Sequence, residues 1–268
     1  MKQLKLTFLL TLLMSMIGVI AFAHDFEVAN DGVTIYYNMT SGTEVAVSYQ
    51  GSSYAAYSDE YTGSVVIPAS VKYNGTTYNV TSIGKYAFDG CTSLTKIAIP
   101  SSVTKIGTNA FYRCSALTAV HITDLAAWCS IDFDYWSNYG EPHYYETNPL
   151  CYAGHLFLNG TEIKDLVIPD GVKSISSLCF YGCKSLTSVT IPNSVTNIGR
   201  YAFRETPNLA SLTFHCESIK EEWFSGSGTY NYQSFLGSGI REFVIGNEPD
   251  PAASHPPGWN PRAGRCRS

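Results

Sequence analysis

The sequence predicts a repeat solenoid, with one parallel β-sheet of about seven short strands, short helical turns and an N-terminal β-hairpin cap. Three observations predict it. A 23-residue period recurs along the chain. Inside each period a short alternating apolar segment runs into a proline. The segment ahead of the first repeat follows a two-residue alternation instead, as a hairpin does.

The period is read by aligning the chain on itself. Residues 99–111 read IPSSVTKIGTNAF and continue through YRCSALTAVHI to Ile122. A second unit runs from Ile168 to Ile191 and a third from Ile191 to Phe214, each a step of 23 residues. Ile67 to Ile99 takes 32 residues, with the extra ones in KYNGTTYNV, and Phe214 to Ile245 takes 31. Ile122 to Ile168 takes 46, read as one degenerate unit with a long insertion at about 124–155. In its return half Phe157, Ile163, Leu166 and Ile168 are matched to Phe180, Leu186, Val189 and Ile191.

Each part of the period has a physical reading. In L-x-x-I-x-I, Leu94, Ile97 and Ile99 point one way while Lys96 and Ala98 point the other. Pro100, Pro169 and Pro192 follow, and proline ends a central strand because it has no N–H to give. Val103 and Ile106 line a second inward stretch. Gly107 and Gly199 are expected to allow a bend, and Ala110-Phe111 or Ala202-Phe203 to make one helical turn. A single unit offers too few apolar side chains to offset the entropy of ordering it, so units must stack. The strand ends Ile67, Ile99, Ile122, Ile168, Ile191, Phe214 and Ile245 give the seven rungs.

The remaining segments divide the chain. Residues 1–23 carry Lys2 and Lys5, then an apolar run ending in Ala21-Phe22-Ala23, the pattern of a secretory signal peptide cleaved after Ala23. Removal leaves a net charge of 15 − 22 = −7, which argues against nucleic acid or an anionic membrane surface as the main partner. No membrane span is expected after cleavage. Residues 24–61 hold VTIYYNMT and EVAVSYQG around Ser41-Gly42-Thr43, the expected cap. Residues 62–248 form the repeat domain. Residues 249–268 are Pro-rich and Arg-rich and break the pattern, and are expected to be disordered or to mark a truncated or frame-shifted array.

The repeat resembles the leucine-rich repeats of the Bacteroides surface protein type (BspA-like), also found in treponemal surface proteins. The resemblance covers about residues 67–245, and the segment DLAAWCSIDF at 124–133 also resembles an insertion of gut-Bacteroidota members. It implies a leucine-rich-repeat right-handed coil in a secreted or cell-surface protein. It also implies that Cys91, Cys114 and Cys183 are structural, since the family places Asn or Cys there to satisfy backbone groups in the turn. Thr206 takes that position in the next unit. A bacterial origin, again implied, makes the sequons at Asn38, Asn74, Asn79 and Asn159 chance matches.

Candidate chemistry is sparse. Cys179 replaces the turn alanine and is expected in the core. Cys129 and Cys151 flank the insertion and are the disulfide candidates, while Cys216 and Cys266 stay unassigned. Cys129, Asp132, Asp134, Glu141 and His143 match no regular metal-ligand spacing. His121 sits on the outward side of a strand without a partner to make it a base, and no GxSxG, HExxH or P-loop occurs. No enzyme activity, metal or cofactor is therefore expected. The candidate binding surface is the aromatic set Trp128, Tyr135, Trp136, Tyr139, Tyr144 and Tyr145, with a second cluster at Trp223, Phe224, Tyr230 and Tyr232. The expected partner is a protein, of host matrix or another cell surface. A glycan is the alternative, and a spacer without a partner is a third reading.

Overall fold

The computed structural model describes residues 24–51, 59–134, 147–215, 234–235, 237–245, 259–260 and 265–266. The chain starts with β1 (Phe26–Asn30), β2 (Val33–Met39) and β3 (Glu44–Ser48), paired antiparallel in that order. The β2–β3 pair is the hairpin expected from the alternation. β1 joins it through Asp31-Gly32, at φ 50° and 81°, a two-residue turn that suits the twist of a hairpin. Tyr61 locks this end to the repeats. It is fully buried, its hydroxyl donates to the Ser48 carbonyl at 2.7 Å, and it accepts from the Tyr36 N–H at 3.1 Å.

The array continues with β4 (Gly63–Val66), β5 (Ser70–Tyr73), β6 (Thr76–Ile83), β7 (Leu94–Ala98), β8 (Lys105–Ile106) and β9 (Ala119–Ile122). Then come α1 (Leu125–Cys129), β10 (Asp132–Phe133), α2 (Leu150–Ala153), β11 (Leu156–Leu158), β12 (Thr161–Glu162), β13 (Asp165–Val167) and β14 (Ser174–Ile175). It closes with β15 (Ser188–Ile191), β16 (Asn197–Ile198), β17 (Ser211–Phe214) and β18 (Glu242–Ile245). The extra residues after Val71 form the antiparallel β5–β6 hairpin about Asn74-Gly75.

Two parallel ladders result. At the front, Ile97 pairs with Val120, and Leu166 with Val189 and then Leu212, so the sequence period becomes the spatial step. Behind it Ile83 pairs with Ile106 and Ile106 with Phe133, while Ile175 pairs with Ile198. β3 pairs parallel with β6 and hands the N-terminal hairpin on to this back ladder.

The expected single front sheet is in fact two. β4, β7, β9 and β11 form one and β13, β15, β17 and β18 the other. The cause is local. Asn159-Gly160, at φ 50° and 84°, turns β12 back antiparallel on β11 and fills the edge that β13 would have used. Phe157 is therefore not the counterpart of Phe180. It lies on β11 opposite His121, and the position in the turn belongs to Leu150 of α2.

The expected helical turns are also different. Tyr86, Asn109, Leu178 and Tyr201 hold one repeat position at φ 54° or more, against the backbone preference of non-glycine residues. A left-handed residue there stops a helix after one bond, so the segment is a chain of tight turns, as in Ala110 N–H to Gly107 C=O at 3.1 Å. The phenylalanines do fill the middle. Phe88 and Phe111 stack at 5.0 Å, and Phe180, Phe203 and Phe235 continue at 5.1 and 5.0 Å.

Gly107 and Gly199 serve close approach rather than bending. A Cβ on Gly107 would lie 2.6 Å from the Lys85 nitrogen, and on Gly199 2.3 Å from the Ser177 nitrogen. Units are also stapled by hydroxyls. Thr118 Oγ1 donates to the Thr95 carbonyl at 3.1 Å, and Thr196 Oγ1 to that of Lys173 at 3.2 Å. Neutral hydroxyls thus take surface places that charges occupy elsewhere, in keeping with a charged fraction of 15%. In the expected disordered tail, β19 (Trp259–Asn260) and β20 (Arg265–Cys266) pair antiparallel.

One carboxyl at the N-terminal end couples the fold to pH. Glu60 accepts from the Gln50 N–H, and burial pushes its pKa from 4.5 up to about 7. The folded chain then holds its proton where the unfolded chain has released it, so stability falls as pH rises from 4.5 to 7. A urea midpoint lower at pH 7 than at pH 5, with the Glu60 part of the slope removed in Glu60→Gln, is the expected result.

Candidate binding face

The predicted aromatic site is divided by the structure. Trp128 is in the core, 1% exposed. Asp124 caps α1 by accepting from the Ala127 N–H at 2.9 Å, and the helix then buries Leu125, Trp128 and Cys129 on one side. The Trp128 ring meets Phe133 edge-on at 5.5 Å, and its Nε1 donates to the Cys179 carbonyl at 3.1 Å. Trp128 therefore cannot serve as an exposed anchor. Tyr135, Trp136, Tyr139, Tyr144 and Tyr145 lie outside the described residues, as do Trp223, Phe224, Tyr230 and Tyr232.

The cysteines correct a second expectation. Cys129 and Cys151 are thiols and are not joined. They belong to different layers: Cys129 faces Cys179, whereas the Cys151 Cα lies 3.1 Å from where a Cβ on Gly182 would stand. Cys91, Cys114 and Cys183 are buried thiols at the matching repeat position. The Cys114 thiol donates to the Phe88 carbonyl at 3.1 Å, and Thr206 Oγ1 does the like to Phe203 at 2.7 Å. Burial pushes the Cys91 thiol up to about 12 and that of Cys183 to about 11, which favours the protonated form while the fold is closed.

The front ladders present the other candidate surface. Their outward side chains stand in register: Val66, Ala98, His121 and Phe157 on one ladder, then Val167, Thr190, Thr213 and Val244 on the other. Val66 and Val167 are 43% and 62% exposed. His121 stacks on Phe157 with ring centres 4.6 Å apart. Burial and then the Lys96 charge lower its pKa, which favours the neutral imidazole. Each of the two runs is thus without a carboxylate or ammonium group, and Glu162, opposite Phe157 on the β11–β12 hairpin, puts a carboxylate between them.

Other charge sits at the margins of the two runs. The next outward positions include Lys96, and Asp165 and Glu242 at the two edges of the second ladder. Asp165 accepts from Ser188 Oγ at 2.6 Å and Thr187 Oγ1 at 2.9 Å, bonds that hold its carboxyl below the usual range. At the break between the ladders, His155 Nδ1 meets Glu162 Oε1 at 2.5 Å and braces the β11–β12 hairpin. The sequence puts Ala98 and His121 on the outward side of their strands but hides Phe157, which the Asn159-Gly160 turn places opposite His121.

Among the described residues, no three His, Cys, Asp or Glu side chains come together as metal ligands. No helix among them is long and apolar enough to cross a membrane.

No curated protein matches the chain. Among solved structures it is similar to a leucine-rich-repeat protein of T. pallidum, at 21% identity and TM-score 0.43, covering 83% of each chain. It is similar to a leucine-rich cell surface protein of Faecalibacterium prausnitzii at 23% identity and TM-score 0.34, covering 72% of this chain and 55% of that one. A leucine-rich-repeat protein of Bacteroides ovatus matches at 21% identity and TM-score 0.29, over 83% and 79% of the two chains. The family model of the BspA-type leucine-rich-repeat region matches six copies, over residues 55–138 and 153–243. That match spans well over half of the sequence, and the chain belongs to the BspA-type leucine-rich-repeat family.

Proposed function

We propose that the chain is an exported, non-catalytic binding protein. Its array winds as a right-handed solenoid, and its front face takes a protein partner, from host matrix or the surface of another cell. The observation that carries this reading is the pair of low-charge runs, Val66 to Phe157 and Val167 to Val244, with Glu162 between them and Lys96, Asp165 and Glu242 at their borders. Burying such runs avoids the cost of stripping water from charges, and interface centres are depleted of charge for that reason. Marginal charges then steer and orient the partner. The family supports a protein-binding role, and the aromatic residues Tyr135, Trp136, Tyr139, Tyr144 and Tyr145 are further candidate anchors by residue type.

Export rests on the N-terminal segment. N-terminal sequencing of the secreted chain is expected to start at His24. The partner class is tested with the purified chain on immobilised collagen, laminin and fibronectin, beside a glycan array. Capture by a matrix protein with silence on the array is expected. Array binding without protein capture would move the function to a glycan and to the aromatic segment.

A further inference from the structure

Two core cysteines depart from the repeat at the same place. Cys179 stands where the other regular units carry Ala87, Ala110 and Ala202, so packing asks only for a methyl group there. Cys129 ends α1, in the unit immediately before it in the stack. The Cys179 thiol reaches the carbonyl of Trp128, the residue bonded to Cys129, at 3.6 Å. Three bonds hold the segments in that apposition. The Ser176 N–H donates to the Cys129 carbonyl at 2.9 Å, Trp128 Nε1 to the Cys179 carbonyl at 3.1 Å, and Cys179 Sγ to the Trp128 carbonyl at 3.6 Å. Both residues are fully buried.

We infer that Cys129 and Cys179 are a disulfide site that cross-links the repeat unit carrying the insertion to the unit that follows it. The oxidant is a small-molecule or protein disulfide. One cysteine thiolate attacks it and forms a mixed disulfide, releasing one thiol. The second thiolate then attacks the cysteine sulfur of that mixed bond and releases the other thiol. The two cysteines lose two electrons and two protons, and the external disulfide gains them. Burial sets the timing. The bond closes while the units are docking, and afterwards reductants do not reach it without local opening. It would pin α1, the start of the insertion, to the turn of the following unit.

The chemistry needs only the oxidant, so the test is independent of export. The chain is refolded in mixed reduced and oxidised glutathione, quenched with N-ethylmaleimide in denaturant without reductant, digested and weighed. A linked Cys129–Cys179 peptide, two hydrogens lighter than the sum of its parts, is expected. N-ethylmaleimide on both residues, or a link from either to another cysteine, would overturn the inference.

A second measurement guards against chance oxidation. Full reduction should lower the thermal midpoint of the wild type by on the order of 10 °C, given a closed loop of about 50 residues. Cys179→Ala restores the alanine of the other units and should show no shift with reductant. Equal responses of the two proteins would count against the cross-link.

Discussion

Trp128→Ala is expected to destabilise the chain by about 4 kcal/mol, not to weaken a surface contact. The ring is 1% exposed, packs edge-on against Phe133 and donates from Nε1 to the Cys179 carbonyl. Removing it opens a cavity between two units and takes one donor from the Cys179 carbonyl, which keeps the Asn148 amide at 3.1 Å. Trp128→Phe should recover most of the area and lose only the hydrogen bond, leaving a cost of about 1–2 kcal/mol. Urea midpoints for the pair separate the terms. A near-native midpoint for the alanine variant would place Trp128 back on the surface, contrary to its position against the following unit.

Gly199→Ala is expected to cost about 3 kcal/mol, large for a single methyl group. A Cβ there would stand 2.3 Å from the Ser177 nitrogen and 2.6 Å from the Ser176 carbonyl carbon. Both are backbone atoms of the neighbouring unit, with no side chain that could swing away. The strain falls on the back ladder, where the Gly199 N–H donates to the Ile175 carbonyl at 2.7 Å. Gly32→Ala is the contrast, because nothing lies within 4 Å of its Cβ position and only its φ of 81° resists the change. It should cost about 1 kcal/mol. Equal costs at the two sites would mean that Gly199 answers to backbone conformation and not to the closeness of the next unit.

Much of the array was legible because the period is carried by packing. Ile97, Val120, Val189 and Leu212 recur for one reason, and the ladders pair them as the spacing requires. What escaped depended on contacts between units. Trp128 read as an insertion aromatic, yet Leu125, Trp128 and Cys129 stand at helical spacing behind a capping Asp124. That pattern was visible and points inward. The break in the front sheet was also written locally. Asn159-Gly160 is the same kind of signal as Asp31-Gly32 and Asn74-Gly75, and all three turn hairpins.

The left-handed residues left no such mark. Tyr86, Leu178 and Tyr201 have side chains that disfavour positive φ, and only the stacking of the turns holds them there. The closeness behind Gly107 and Gly199 is hidden for the same reason, since a glycine in sequence does not say whether it bends the chain or admits a neighbour. The Cys129–Cys179 apposition joins residues in different units and has no counterpart elsewhere in the period.

The placement of function on the front face is tested most directly by Val167→Arg. Val167 is 62% exposed at the start of the second low-charge run, near the middle of the row, so the substitution should leave the thermal midpoint within about 1 °C of wild type. Capture by the matrix protein that binds the wild-type chain should fall at least tenfold, because a charge would have to be stripped of water at the middle of the contact. A stable Val167→Arg chain that binds as the wild type does would contradict the account and move the binding site off the ladders.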